Sequence, residues 1–135
     1  MHLADLNWLA VVVSAVAFFA LGAVWYSFLF GKAWAAEMGI DMENPPESNM
    51  VKTMGGSFVL ELIAAIVVGM VIMDMGGGGY MLGIHVGLLL GLGIASVLMG
   101  VNYLFEQRSL KLWLINAGHM TIGLALVGAI QGAWQ

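Results

Sequence analysis

The sequence contains no cysteine, which excludes disulfides, thiolate metal sites and cysteine nucleophiles together and leaves no mark of a redox compartment. Charge is the second shortage. Four Lys plus Arg and eight Asp plus Glu make up 9% of 135 residues, where a water-soluble chain of this length carries about a quarter, roughly 34 residues. The few basic residues form no patch that could neutralise a row of phosphates, so nucleic acid is not expected as a partner. Apolar residues fill the space instead, at 61% of the chain with a mean hydropathy of +0.97. A chain with so little to dress a wet surface is solvated by the lipid bilayer, and after four spans nothing long enough for a second core remains.

Charged positions divide the chain. Uncharged runs extend from Leu6 to Gly31, from Met75 to Phe105 and from Leu112 to Gln135, and a fourth apolar stretch, Thr53 to Met73, is interrupted only by Glu61. Each crosses about 30 Å of hydrocarbon at about 1.5 Å per residue. The expectation is an all-α polytopic integral membrane protein: one membrane domain over residues 1–135, with four transmembrane helices in an antiparallel bundle at approximately 7–30, 53–73, 80–104 and 112–134. Ala33-Trp34-Ala35 mimics a signal-cleavage site, but the preceding run lacks a basic start and is about twice the usual 7 to 15 residues, so cleavage is not expected.

Lys32 and Lys52 fall in the first connector and Arg108 and Lys111 in the third, which predicts cytoplasmic connectors one and three and both termini extracytoplasmic. Trp8, Tyr80 and Trp134 mark the outer ends of the spans, and Trp34, Tyr103 and Trp113 the inner ends. The first helix is expected to run through Trp34 to a stop at Gly39, with Asn44 capping a new helix opened by Pro45 and Pro46. Gly76 to Gly79 reads as a tight outer turn, since no strand, Lys or Thr follows to make a phosphate loop.

Helices in lipid associate through close backbone approach and buried polar pairs. Gly83, Gly87, Gly91 and Ala95 form a small-residue stripe on the third span, and Gly128 and Gly132 a shorter one on the fourth. Two readings stand: packing within one protomer, or a homo-oligomer interface.

Ionisable groups inside a membrane carry the functional signal. Glu61 lies roughly 10 to 12 Å from the inner end of its span. Its helical neighbours Ser57, Ala64, Ala65 and Val68 place it on the protein-facing side. His119 enters the fourth span to matching depth, with Asn116 one turn earlier, and Asn102, Tyr26 and Ser27 are expected at the same level from the other helices. Three states are open to Glu61: a protonated acid, an ion pair with His119, or hydration from a cavity. The cluster then either fixes helix register or takes part in proton-linked passage of a small solute. His85 and His119 are roughly 12 Å apart in height and cannot share one iron, while His2 and His85 lack the carboxylates of a metal site, so neither cofactor nor metal is expected. Glu106, Arg108 and Lys111 in the third connector suit a lipid headgroup, a partner, or simple anchoring.

Trp25-Tyr26-Ser27, Phe30 to Trp34, the stretch from Asn102 to Arg108 continuing through Lys111 to Gly118, and Gly132-Ala133-Trp134 resemble the small four-span membrane proteins catalogued as domain of unknown function seventeen sixty-one. The resemblance covers nearly the whole chain and implies a bacterial four-helix inner-membrane protein, with no activity, cofactor or catalytic residue to carry over. The leading expectation for function is a non-catalytic protein that self-associates or serves as an accessory subunit of a larger membrane complex. The alternative is a proton-coupled transporter or pore using Glu61 and His119. A membrane enzyme is not expected, because no nucleophile, base and orienting group stand in a recognisable order.

Overall fold

The computed structural model describes residues 3–134 and is all-helical. After a short 3-10 turn at Leu3–Asp5 come α1 (Trp8–Val24), α2 (Gly31–Met38), α3 (Met50–Asp74), α4 (Gly79–Leu90), α5 (Ser96–Phe105) and α6 (Leu110–Ala133). Two wide π turns, Trp25–Leu29 and Gly91–Ala95, continue α1 and join α4 to α5. Four continuous helical stretches of 22, 25, 27 and 24 residues are thus long and apolar enough to cross a membrane: Trp8–Leu29, Met50–Asp74, Gly79–Phe105 and Leu110–Ala133. They pack as a bundle in which α6 is the hub, touching all five other helices.

Local chemistry sets the boundaries. Asn7, Asn49 and Ser109 cap α1, α3 and α6, their side chains accepting from the backbone N–H of Ala10, Lys52 and Leu112 at 3.1, 3.1 and 3.0 Å. Gly39 closes α2 in the left-handed conformation, where the sequence placed a stop. The start of α3 is a correction: Asn49 caps it, not Asn44. Opening a helix at Pro45 would force Pro45 into α geometry directly before Pro46, which the second ring disfavours, and the pair lies outside any helix. Gly76, Gly77, Gly78 and Gly79 all have positive φ, between 72 and 123°, so the turn from α3 to α4 uses backbone that other residues avoid.

The glycine stripes meet inside the chain. Gly83 and Gly87 of α4 lie directly against the backbone of Gly128 and Leu124 of α6, and Gly132 lies against Gly79 and Gly83. Gly91 continues the seam, where an added Cβ would stand 2.8 Å from the Cα of Thr121; Ala95 is half-buried beyond it. Two backbones this close gain dispersion contacts that side chains would block. Glycines of α6 also receive aromatic rings, Gly123 that of Phe18 and Gly118 that of Trp25.

The bundle has a dry half and a polar half. Val11, Ala15 and Phe18 of α1, Ala65, Val68 and Ile72 of α3, Val86 of α4 and Leu124 and Val127 of α6 form one buried apolar cluster. One polar group is sunk beside it. Gln131, 1% exposed, donates from Nε2 to Ser14 Oγ at 3.3 Å and to the Ala65 carbonyl at 2.6 Å, tying α6 to α1 and α3. Trp8, Tyr80 and Trp134 are exposed at this end, whereas Trp34, Tyr103 and Trp113 at the other end are half-buried, with Trp113 Nε1 donating to the Ser96 carbonyl at 2.8 Å.

Candidate functional site

The polar half begins where the packed cluster stops. A cavity of about 430 Å³ opens there, walled by Phe19, Gly22, Ala23, Tyr26 and Ser27 of the first span, Trp34 of α2, Thr53, Met54, Ser57 and Glu61 of α3, and His119 of α6. Thr53 to Glu61 is eight residues of helix, so the lining runs about 12 Å along α3 from the connector end. The volume falls in the range of roughly 300 to 1,000 Å³ typical of small-molecule sites.

Glu61 and His119 line the same cavity from different helices, yet they form no ion pair. Among the described residues the single salt bridge is Arg108 Nε to Glu106 Oε1 at 3.0 Å, on the surface. Instead, Glu61 Oε2 and His119 Nε2 are buried with no hydrogen-bond partner. Buried polar atoms are nearly always satisfied, because leaving one bare costs about 1 to 3 kcal/mol. Both atoms belong to residues that line one cavity, an acid on α3 and a histidine on α6, and that pairing is the chemical signature of this site.

The first span positions the histidine. Gly22 has no side chain, and a Cβ there would stand 3.1 Å from His119 Nε2, so the glycine makes room for the ring. Phe18, Tyr26 and Trp25 surround that ring with centroids 5.2, 5.1 and 6.2 Å away. Trp25 is held by its own Nε1, which donates to the Ile115 carbonyl at 3.0 Å. Tyr26 stands edge-on to Trp34 at 5.9 Å and donates its hydroxyl to Asn116 Oδ1 at 2.5 Å, and Asn116 Nδ2 donates to Tyr103 Oη at 2.7 Å. The chain Tyr26–Asn116–Tyr103 thereby ties α6 to the first and third spans beside the cavity.

Asn102 does not join this cluster. It is exposed, and Tyr103 supplies the polar group from the third span. Counting about 100° per residue from Gly91 puts residue 102 on the inner face, but the π turn at Gly91–Ala95 takes up one extra residue, so every later position is rotated by one and the inner face becomes Ser96, Gly100 and Tyr103. Ser27 lines the cavity but is exposed and makes no side-chain hydrogen bond.

The third connector is engaged locally. Arg108 pairs with Glu106, sends Nη1 to Met38 Sδ at 3.2 Å and lies 5.8 Å over the Tyr103 ring, while Lys111 is exposed. A second hollow of about 410 Å³ beside it is walled by Val97, Val101, Leu104, Leu110 and Trp113 as well as Tyr103 and Arg108. His85 is exposed on α4, and the pairing of His2 with it lies outside the described residues.

The model of the family described as protein of unknown function (DUF1761) matches residues 9–132. The chain belongs to the DUF1761 family. The cavity, Glu61, His119 and the Tyr26–Asn116–Tyr103 chain all fall within the matched region, so the site is part of the DUF1761 domain itself. No curated protein and no solved structure matches the chain.

Three polar positions went unread in the sequence. Gln131, Ser14 and Ser96 are fully buried and link helices, Ser96 Oγ lying 3.1 Å from Thr121 Oγ1. The signal was present for Gln131, since an amide inside an apolar span must find a partner.

Proposed function

We propose that this DUF1761 protein is a non-enzymatic membrane carrier for a small solute, coupled to a proton through Glu61 and His119. The observation that carries the reading is the 430 Å³ cavity lined by two titratable residues from different helices, Glu61 and His119, each with a buried polar atom that has no hydrogen-bond partner. A cluster that served only to fix helix register would satisfy its own members, as Tyr26, Asn116 and Tyr103 do. Glu61 and His119 instead keep capacity for a guest. The titratable groups facing the cavity are Tyr26, Glu61 and His119; Tyr26 has already given its proton to a hydrogen bond, so the exchangeable site is the acid with its histidine neighbour.

Lys32, Lys52, Arg108 and Lys111 all lie at the cavity's end of the bundle, which supports a cytoplasmic mouth and extracytoplasmic termini. The packed cluster of Phe18, Val68 and Leu124 closes the far end, which favours a carrier that must rearrange over an open pore. Self-association loses its motive from sequence, because the glycine stripe is occupied within the α4–α6 seam.

The test uses proteoliposomes holding a pH-sensitive dye and challenged with small cationic, neutral and anionic solutes. A solute-driven proton movement is expected for at least one class and is expected to disappear in Glu61→Gln at equal incorporation. If no class moves protons, or if Glu61→Gln leaves the movement intact, the carrier reading is wrong.

A further inference from the structure

We infer that the solute is a small organic cation with an apolar body, held between the Glu61 carboxylate and the aromatic walls formed by Tyr26 and Trp34. This inference rests on the carrier reading for its biological use, but concerns only what the cavity binds.

The lining is selective by what it carries. Glu61 is its one acidic residue, and none of the chain's four Lys and Arg residues takes part. His119 on α6 is the one lining group able to carry positive charge, so an anionic guest would need that ring protonated while still meeting the Glu61 carboxylate, whereas a cation neutralises the carboxylate directly. A neutral polyol fits poorly for a different reason. It needs many free donors and acceptors, yet Ser57 Oγ is already spent on the Thr53 carbonyl at 2.7 Å and the Tyr26 hydroxyl on Asn116, which leaves Ser27, Thr53 and His119 beside the acid.

The apolar share of the guest follows from the remaining wall. Tyr26 and Trp34 stand with their ring planes at 73°, making an aromatic corner in the wall that Glu61 shares, and Phe19, Ala23 and Met54 add apolar surface to it. Aromatic surfaces attract substituted ammonium groups because the ring face is the negative pole of the quadrupole. Proton and guest would then compete for the Glu61 carboxylate, and His119 on the α6 wall would repel a cation once protonated, while the Tyr26 hydroxyl stays on Asn116, so cation binding weakens as pH falls.

The experiment is calorimetric titration of the purified full chain in an uncharged detergent with three probes of similar size: phenyltrimethylammonium, benzyl alcohol and benzoate. Phenyltrimethylammonium is expected to bind about tenfold or more tighter than either other probe. Glu61→Gln is expected to erase that preference and Glu61→Asp to keep part of it, while Trp34→Ala lowers cation affinity by about three- to tenfold without altering helicity. Equal binding of the neutral or anionic probe would overturn the cation assignment and leave a solute cavity standing. Binding of none of the three would overturn it outright. Cation binding that drives no proton movement in the proteoliposomes would instead sink the carrier reading and leave the cation site intact.

Discussion

Gly83→Ala is the sharpest test of how this bundle is assembled, and Gly56→Ala is its control. Both glycines are helical, so replacing either by alanine gains the same intrinsic helix propensity, about 1 kcal/mol in water. Their surroundings differ. Around Gly56 nothing lies within 4 Å of the position a Cβ would take, whereas at Gly83 the Cβ would land on the Gly128 carbonyl, with the Ala129 nitrogen 3.2 Å away. Those are backbone atoms of α6 and cannot rotate aside as a flexible side chain would, so α4 and α6 must move apart. A gap of about 0.5 to 1 Å forfeits roughly a quarter to a half of each atom pair's attraction, and overpacking of this kind costs about 1 to 3 kcal/mol. Because the propensity gain cancels between the variants, their difference reports the overpacking alone. We expect Gly83→Ala to be less stable than Gly56→Ala by about 1 to 3 kcal/mol, measured by detergent-induced unfolding in mixed micelles at several protein concentrations. The loss should not depend on concentration, since the seam lies within one chain. Equal stability of the two variants, or a loss that vanishes on dilution, would refute an intramolecular glycine seam.

Gln131→Leu removes two interhelical hydrogen bonds, each worth about 0.6 kcal/mol on average in a membrane, and should lower stability by about 1 kcal/mol in the same assay; a neutral or stabilised variant would mean the amide contributes nothing to holding α1 and α3 on α6. The absence of native cysteine makes accessibility mapping clean: Ser57→Cys, on the cavity wall, should react with a membrane-impermeant thiol reagent, while Ala65→Cys, in the packed half, should stay unmodified in the folded protein. Labelling of residue 65 at the rate of residue 57 would show that the two halves are not separated by packing.

Most of the architecture was legible because lipid imposes a blunt requirement. Every backbone polar group must be satisfied within the span, so a long uncharged run has essentially one solution. Glu61 and His119 were legible for the converse reason, as costly groups in an apolar setting. Asn102 was misplaced because helical phase was carried through Gly91–Ala95 as if the turn were regular, and nothing in Gly-Leu-Gly-Ile-Ala announces a π turn. The start of α3 was misplaced by giving Asn44 and the proline pair more weight than Asn49, whose side chain makes the cap. Gln131 went unread although an amide there demanded a partner, and its two partners, Ser14 and Ala65, are far away in sequence.

Composition and charge spacing are enough to specify four apolar helices and the acid among them, because solvation by lipid acts on each segment separately. Which faces meet is a different kind of information. The glycine stripe suited a second copy as well as α6, and the acid suited an ion pair as well as a cavity, since each outcome depends on distances between segments remote along the chain. Packing resolved both: α6 filled the hub and took up the stripe, and Phe18, Tyr26 and Trp25 gathered round His119 while it and Glu61 stayed unpaired at the wall of a hollow. Helix phase and interhelical contact are collective properties, so they exist only once the bundle has closed.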